Sequence, residues 1–146
     1  MANINIYLTF KGNCRQAFNF YKYAFGGDFS SVSTFAEMPP QENMPPLPDH
    51  EKDKIMHMSL PIGKETELMG SDTSETFGKP PVVGNNFSIS VSTETQEEAE
   101  DIFNKLAEGG KVTMPMEKTF WSPYFGTLTD KFDINWMVSV EPGEKV

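Results

Sequence analysis

The chain has 146 residues, 38% of them hydrophobic and 12% aromatic, which suits a folded domain with a real core and excludes a disordered chain. Its formal net charge of −9 opposes nucleic acid and anionic membrane surfaces as partners, since phosphate binding needs clustered Lys and Arg. A lone cysteine, Cys14, excludes an internal disulfide and a Cys-rich zinc site. The opening MANINIYLTF has no basic start followed by a long apolar run, and no apolar stretch reaches the roughly 18 residues of a membrane span. A cytoplasmic protein is expected.

In chain order, Ile4, Ile6, Leu8 and Phe10 alternate with Asn5, Tyr7 and Thr9, the period of a half-buried strand. Asn13 stands where a helix cap belongs, and Ala17, Phe18, Tyr21 and Phe25 recur at helical spacing until Gly26-Gly27. A strand over about Phe29 to Ala36 follows, then a loop, 38–48, whose prolines cannot sit inside a ladder. Lys54 to Leu60 and Glu65 to Gly70 read as two strands around the turn Pro61-Ile62-Gly63. From Ser71 to Gly84 the chain is rich in Gly, Pro, Ser and Thr, as a linker is. The cycle then recurs. Phe87 to Val91 alternates, and Thr93 to Leu106 opens with acidic residues suited to a helix N-terminus before Gly109-Gly110. Val112 to Met116, Thr119 to Thr129 and Ile134 to Val140 supply three strands.

The halves superpose at an offset of 83 through the first strand and helix, placing Gly26-Gly27 on Gly109-Gly110, and of 70 afterwards. The order strand, helix, three strands, twice over, predicts a single α+β domain: two βαβββ modules with mixed sheet and helices on one face. Module one covers about 1–72, the linker about 73–84 and module two about 85–141.

If the helices cover one face, alternation leaves the other free. The open set is then Asn5, Tyr7, Thr9, His57, Ser59, Glu67 and Met69 in the first module. In the second it is Ser88, Ser90, Thr127, Thr129, Asn135 and Met137, with Trp121, Tyr124 and Phe125 nearby on the long seventh strand. Hydroxyls, one imidazole, one carboxylate and thioethers together suit a small, partly apolar ligand. A plain solvated sheet face is the competing reading.

The segments YLTFKGNCRQAFNFYKYAFGG, DKIMHMSL, ELMGSD and LAEGGKVTMPMEKTFWSPYFGTLTDKFDINWMV together resemble the PhnB-like branch of the glyoxalase/bleomycin-resistance/dioxygenase (vicinal oxygen chelate) superfamily. The resemblance implies paired βαβββ modules, a cupped sheet around the site and a homodimer. Relatives in this branch are sometimes named demethylubiquinone methyltransferases, but the chain has no glycine-rich strand-to-helix turn for a methyl-donor cofactor. Metal-dependent members of the superfamily hold a divalent ion at four positions, carried over here as Asn5, Glu67, Ser88 and Met137. Only Glu67 among them is an ordinary ligand for a hard or borderline ion. No metal site and no cofactor are therefore expected, with a divalent ion left open.

Three functions remain. The first is a small-molecule-binding protein without a working metal centre. The second is a metal-free enzyme on a small metabolite or antibiotic, using His57 with Glu67 as acid and base. The third is a dimeric regulatory or scaffolding partner. Trp121 and Phe125 are stacking candidates for a flat ligand. Cys14, in the first helical turn, is read first as a small buried apolar residue and second as a thiol activated by the helix dipole.

Overall fold

The computed structural model describes residues 2–39, 46–76, 78–121 and 124–141; residues 40–45 of the proline-rich loop lie outside them. The chain divides into two compact units, Met1–Val82 and Val83–Val146. Unit one runs β1 (Ile6–Phe10), α1 (Cys14–Phe25), β2 (Ser31–Thr34), β3 (Ile55–Ile62) and β4 (Thr66–Asp72). Unit two repeats the order as β5 (Ile89–Thr93), α2 (Gln96–Ala107), β6 (Lys111–Glu117), β7 (Phe125–Thr129) and β8 (Asn135–Val140). Each forms a four-stranded mixed sheet, β1-β4-β3-β2 and β5-β8-β7-β6. The first and last strands of each unit pair in parallel and the rest antiparallel. This is the α+β architecture of two βαβββ modules.

In unit one the alternation of β1 is real but starts later than the sequence suggests. Leu8 and Phe10 are 4% exposed, whereas Ile4 is 88% exposed and precedes the strand. Helix α1 buries Ala17, Phe18, Tyr21 and Ala24, one stripe at helical spacing, and Phe18 presses on β4 at Gly70. A methyl group at Gly70 would lie 2.6 Å from the Phe18 ring, so only glycine lets helix and sheet approach this closely. The helix stops at Gly26, whose φ of 81° only glycine adopts without strain and whose N–H reaches the Lys22 carbonyl.

The expected cap at Asn13 does not form: its side chain makes no capping bond. A carboxylate from the far end of the unit takes that role. Oδ1 of Asp72, at the end of β4, accepts from the N–H groups of Gly12 and Cys14, both at 2.9 Å, and Oδ2 accepts from Ile55 N–H at 2.9 Å. A buried anion on the free N–H groups of a helix start satisfies them and matches the helix dipole. Asp72 thus joins β4, α1 and β3 into one body.

Unit two caps its helix locally. Thr95 accepts from Glu98 N–H through its side chain at 3.2 Å, so α2 starts at Gln96 rather than Thr93, which belongs to β5. Phe87 is 61% exposed and lies before β5, which begins at Ile89. The seventh strand is Phe125–Thr129 only, and Trp121 sits in a bend ahead of it rather than on a long strand. Ser71 and Asp72 close β4, so the linker begins after them.

The registers correct the internal offsets. The offset of 83 holds for β1 and β5, but the buried stripe Ala17, Phe20, Tyr21, Ala24 matches Ala99, Ile102, Phe103, Leu106, an offset of 82. Leu60 pairs with Leu68 as Leu128 pairs with Trp136, so the later strands match at 68 rather than 70. The aligned glycines after the helices concealed one extra residue in unit two, because glycine marks only where a helix ends.

Candidate functional site

Cross-strand partners share a face. In unit one Met69 pairs with Tyr7 on one side and Ser59 on the other, and Ser59 pairs with Ser31. This row faces away from α1, because the intervening Leu68 and Gly70 face the helix. One row along, Glu67 pairs with Pro61, and its backbone N–H donates to Asn5 Oδ1 at 2.9 Å. In the opposite direction Thr9 pairs with Ser71, and His57 with Ser33. Asn5, Tyr7, Thr9, His57, Ser59, Glu67 and Met69 therefore lie on one side of the sheet.

Hydroxyls tie part of this surface together. Ser30 and Ser59 share a hydrogen bond at 2.5 Å, Ser31 lies 3.3 Å from Ser59, and Ser30 donates to Glu67 Oε1 at 3.2 Å. Glu67 Oε2 has no partner among the described residues. The half-buried His57 ring also has no hydrogen bond among them, and packs against Tyr7 with ring centroids 5.9 Å apart. His57 and Glu67 do not meet. The register sets them four residues apart along the strand direction, about 13 Å.

In unit two the equivalent row is Ser90, Met137 and Thr127. Thr127 shares a 2.6 Å hydrogen bond with Thr113, and Thr129 donates to Asn135 at 2.7 Å. Ser59 thus matches Thr127, and His57 matches Phe125 rather than Thr127. Phe125 is 7% exposed and stacks edge-on with Trp121 at 5.5 Å, which in turn meets Phe120 at 4.6 Å. Ser88 is exposed and lies one residue before β5.

The four positions carried over for a divalent ion do not fit one. Asn5 Oδ1 already accepts from Glu67 N–H and is a neutral amide oxygen, and Met137 offers a soft thioether. The register opposite Glu67 in unit two gives Asn135, an amide that accepts from Thr129, so correcting the offset adds no anionic ligand.

A donor group the sequence did not suggest lies elsewhere. One ligand atom each from His50, Glu51 and Glu75 falls within 4.8 Å of the others. Its centre, Glu51, is fully buried and already occupied: it accepts from Ser74 Oγ at 2.7 Å, Glu75 N–H at 2.5 Å and Thr76 Oγ1 at 3.4 Å, with Lys54 Nζ 3.8 Å away. Burial pushes the Glu51 carboxyl upward, but these donors outweigh it and hold the group below the usual range. Glu51 pins the segment after β4 to the turn before β3.

Cys14 is wholly buried, and burial, then the Asp72 charge, push its thiol far above the ordinary range against a partial offset from Arg15. It is a packed apolar residue, not an activated thiol. Asp130, also buried, accepts from Phe132 and Ile134 N–H groups and from Trp136 Nε1 at 2.8 Å, closing the turn into β8. Asp72 was legible as a site of this kind, since alternation from Leu68 through Gly70 puts its carboxylate on the helix side, where it must find donors. Glu51 carried no such periodic signal.

The family model described as 3-demethylubiquinone-9 3-methyltransferase matches residues 2–139. Protein YjdN of Escherichia coli (strain K12) is 33% identical over 139 residues, spanning 92% of both chains. Among solved structures, protein PA1353 from Pseudomonas aeruginosa is 39% identical with a TM-score of 0.80, covering 97% of this chain and 98% of its own. A putative 3-demethylubiquinone-9 3-methyltransferase, PhnB protein, from Bacillus cereus is 26% identical with a TM-score of 0.73, covering 96% and 100%. A glyoxylase/bleomycin resistance protein/dioxygenase domain from Frankia sp. EAN1pec shares the fold, with a TM-score of 0.60 at 9% identity and coverage of 97% of each chain. The chain belongs to the family described as 3-demethylubiquinone-9 3-methyltransferase, is similar to a PhnB protein of that description, and shares its fold with a glyoxylase/bleomycin resistance protein/dioxygenase domain.

Proposed function

We propose that this protein binds a small, partly apolar molecule on the open face of unit one, without a metal ion. The observation that carries the reading is the row Tyr7, Met69, Ser59. It sets an aromatic ring, a thioether and a hydroxyl side by side, flanked by an imidazole and a carboxylate that keep unused hydrogen-bonding capacity. Such groups hold and orient a ligand. Methyl transfer, which the family description names, finds little support in the local chemistry. The start of α1 is closed by the Asp72 carboxylate, and α2 begins with Thr95, Glu97 and Glu98, so neither helix start suits an anionic cofactor group.

The test is a thermal-shift screen of small metabolites and antibiotics, followed by titration of each hit against His57→Ala and Met69→Ala. Hits that lose affinity in Met69→Ala support the reading, and hits indifferent to both variants remove it. One observation favours a second reading, in which His57 acts as an acid or base: its ring stands half-buried with no hydrogen bond among the described residues. Turnover of a hit by the wild type, lost in His57→Ala with binding retained, would establish that enzyme. The expected homodimer belongs to the same proposal and is read by light scattering on the purified chain.

A further inference from the structure

We infer that the open face of unit one selects an organic cation, an ammonium or amidinium group carried on an apolar or aromatic body. This inference rests on the proposal that this face binds a small molecule, and names the class.

Across its four strands this face carries one carboxylate, Glu67, and no Lys or Arg. Glu67 is half-buried, and Ser30 donates to only one of its oxygens. Any ligand that covers the row strips water from the other oxygen, Oε2. An anion adds repulsion to that loss, and a neutral apolar molecule leaves the charge desolvated and unpaired. A cationic donor offsets the loss with a charge-assisted hydrogen bond.

The neighbours favour the same class. Tyr7 is 50% exposed and pairs across the strands with Met69, while Glu67 lies one row along on the same face. Glu67 and Tyr7 are then diagonal neighbours, with backbone positions about 7–8 Å apart. A cation carried on an aromatic body sets its charge against the carboxylate and its body against the Tyr7 ring, which leans toward His57 with centroids 5.9 Å apart. The Met69 thioether supplies a polarizable floor between them. The equivalent triad in unit two, Ser90, Met137 and Asn135, has the floor but neither the ring nor the charge.

Amide chemical shifts of the labelled protein, titrated with three probes of similar body, provide the test: benzylammonium, benzyl alcohol and phenylphosphonate. The expected result is saturable binding of benzylammonium, with shifts concentrated at Tyr7, Ser59 and Met69. Binding should be at least tenfold tighter than for benzyl alcohol and absent for phenylphosphonate. Glu67→Gln keeps the side-chain shape and the acceptor for Ser30, and should weaken the cation about tenfold while leaving benzyl alcohol unchanged. Tyr7→Leu should weaken the cation about threefold. Equal binding of cation and alcohol, tighter binding of phenylphosphonate, or an unmoved cation affinity in Glu67→Gln would overturn the choice of cation while leaving a ligand-binding face. Shifts at these residues with none of the three probes would remove the binding face itself.

Discussion

Both units run through the same register, Leu60 opposite Leu68 in one and Leu128 opposite Trp136 in the other, yet their open faces differ at the exposed ring, the carboxylate and the imidazole. Where unit one has Tyr7, unit two has Ser90; for Glu67 it has Asn135, and for His57 it has Phe125. Met69 and Ser71 recur as Met137 and Ser139, and Thr9 and Ser59 keep a hydroxyl in Ser92 and Thr127. The helix-facing parity behaves differently, pairing apolar groups in both units and placing a glycine under an aromatic ring in each: Gly70 under Phe18 and Gly126 against Phe103. One parity of each strand is held by packing and keeps its character through the repeat. The other varies between the repeats: in unit one it carries His57 and Glu67 with the exposed ring of Tyr7, and in unit two Lys111 and Glu117 on the edge strand.

The largest expected effect probes the helix caps, where the two units solve one problem by different means. Asp72→Ala leaves the N–H groups of Cys14 and Ile55 buried without their acceptor, frees that of Gly12, and should cost about 3–5 kcal/mol in urea unfolding. Thr95→Ala removes one exposed capping bond and should cost about 1 kcal/mol. Equal losses would show that Asp72 is no more than a local cap.

Between these lies the glycine pair. Gly70→Ala drives a methyl group into the Phe18 ring, and Gly126→Ala drives one to 2.8 Å from Met116 Sδ and 2.9 Å from Phe103. Each should cost about 1–3 kcal/mol, with Gly126→Ala the milder because a methionine tip yields more readily than a packed ring. The reverse order, read from denaturation midpoints, would mean that the first helix sits less firmly on its sheet than the second.

A smaller effect is set by pH. The Glu51 carboxyl is held below its usual value of 4.5 in the folded chain, so the folded form is favoured while Glu51 is ionised. That contribution is complete above about 4.5 and is lost as the pH falls through the lower folded value. Thermal midpoints should therefore drop with acid in the wild type, and drop less steeply in Glu51→Gln.

Strand and helix existence was legible because alternation and helical spacing are direct images of burial: Leu8, Phe10, Phe18 and Tyr21 all lie where periodicity puts them. Boundaries and register were not, since Ile4 and Phe87 continue an alternation that no partner strand exists to cover. The open-face residues of unit one could be named from parity alone. Their grouping could not, because whether His57 meets Glu67 depends on where the hairpin turns: the sequence suggests Pro61-Ile62-Gly63, whereas β3 runs on to Ile62 and β4 begins at Thr66. Glu51 stayed hidden because its donors, Ser74 and Thr76, are more than twenty residues away in a segment without period.

The most direct measurement is a side-by-side titration of one screened ligand against Met69→Ala and Met137→Ala, a thioether the two open faces have in common. Loss of at least tenfold in affinity for Met69→Ala, with less than twofold change for Met137→Ala, is the predicted outcome. Equal losses, or a larger one for Met137→Ala, would contradict the assignment of binding to unit one.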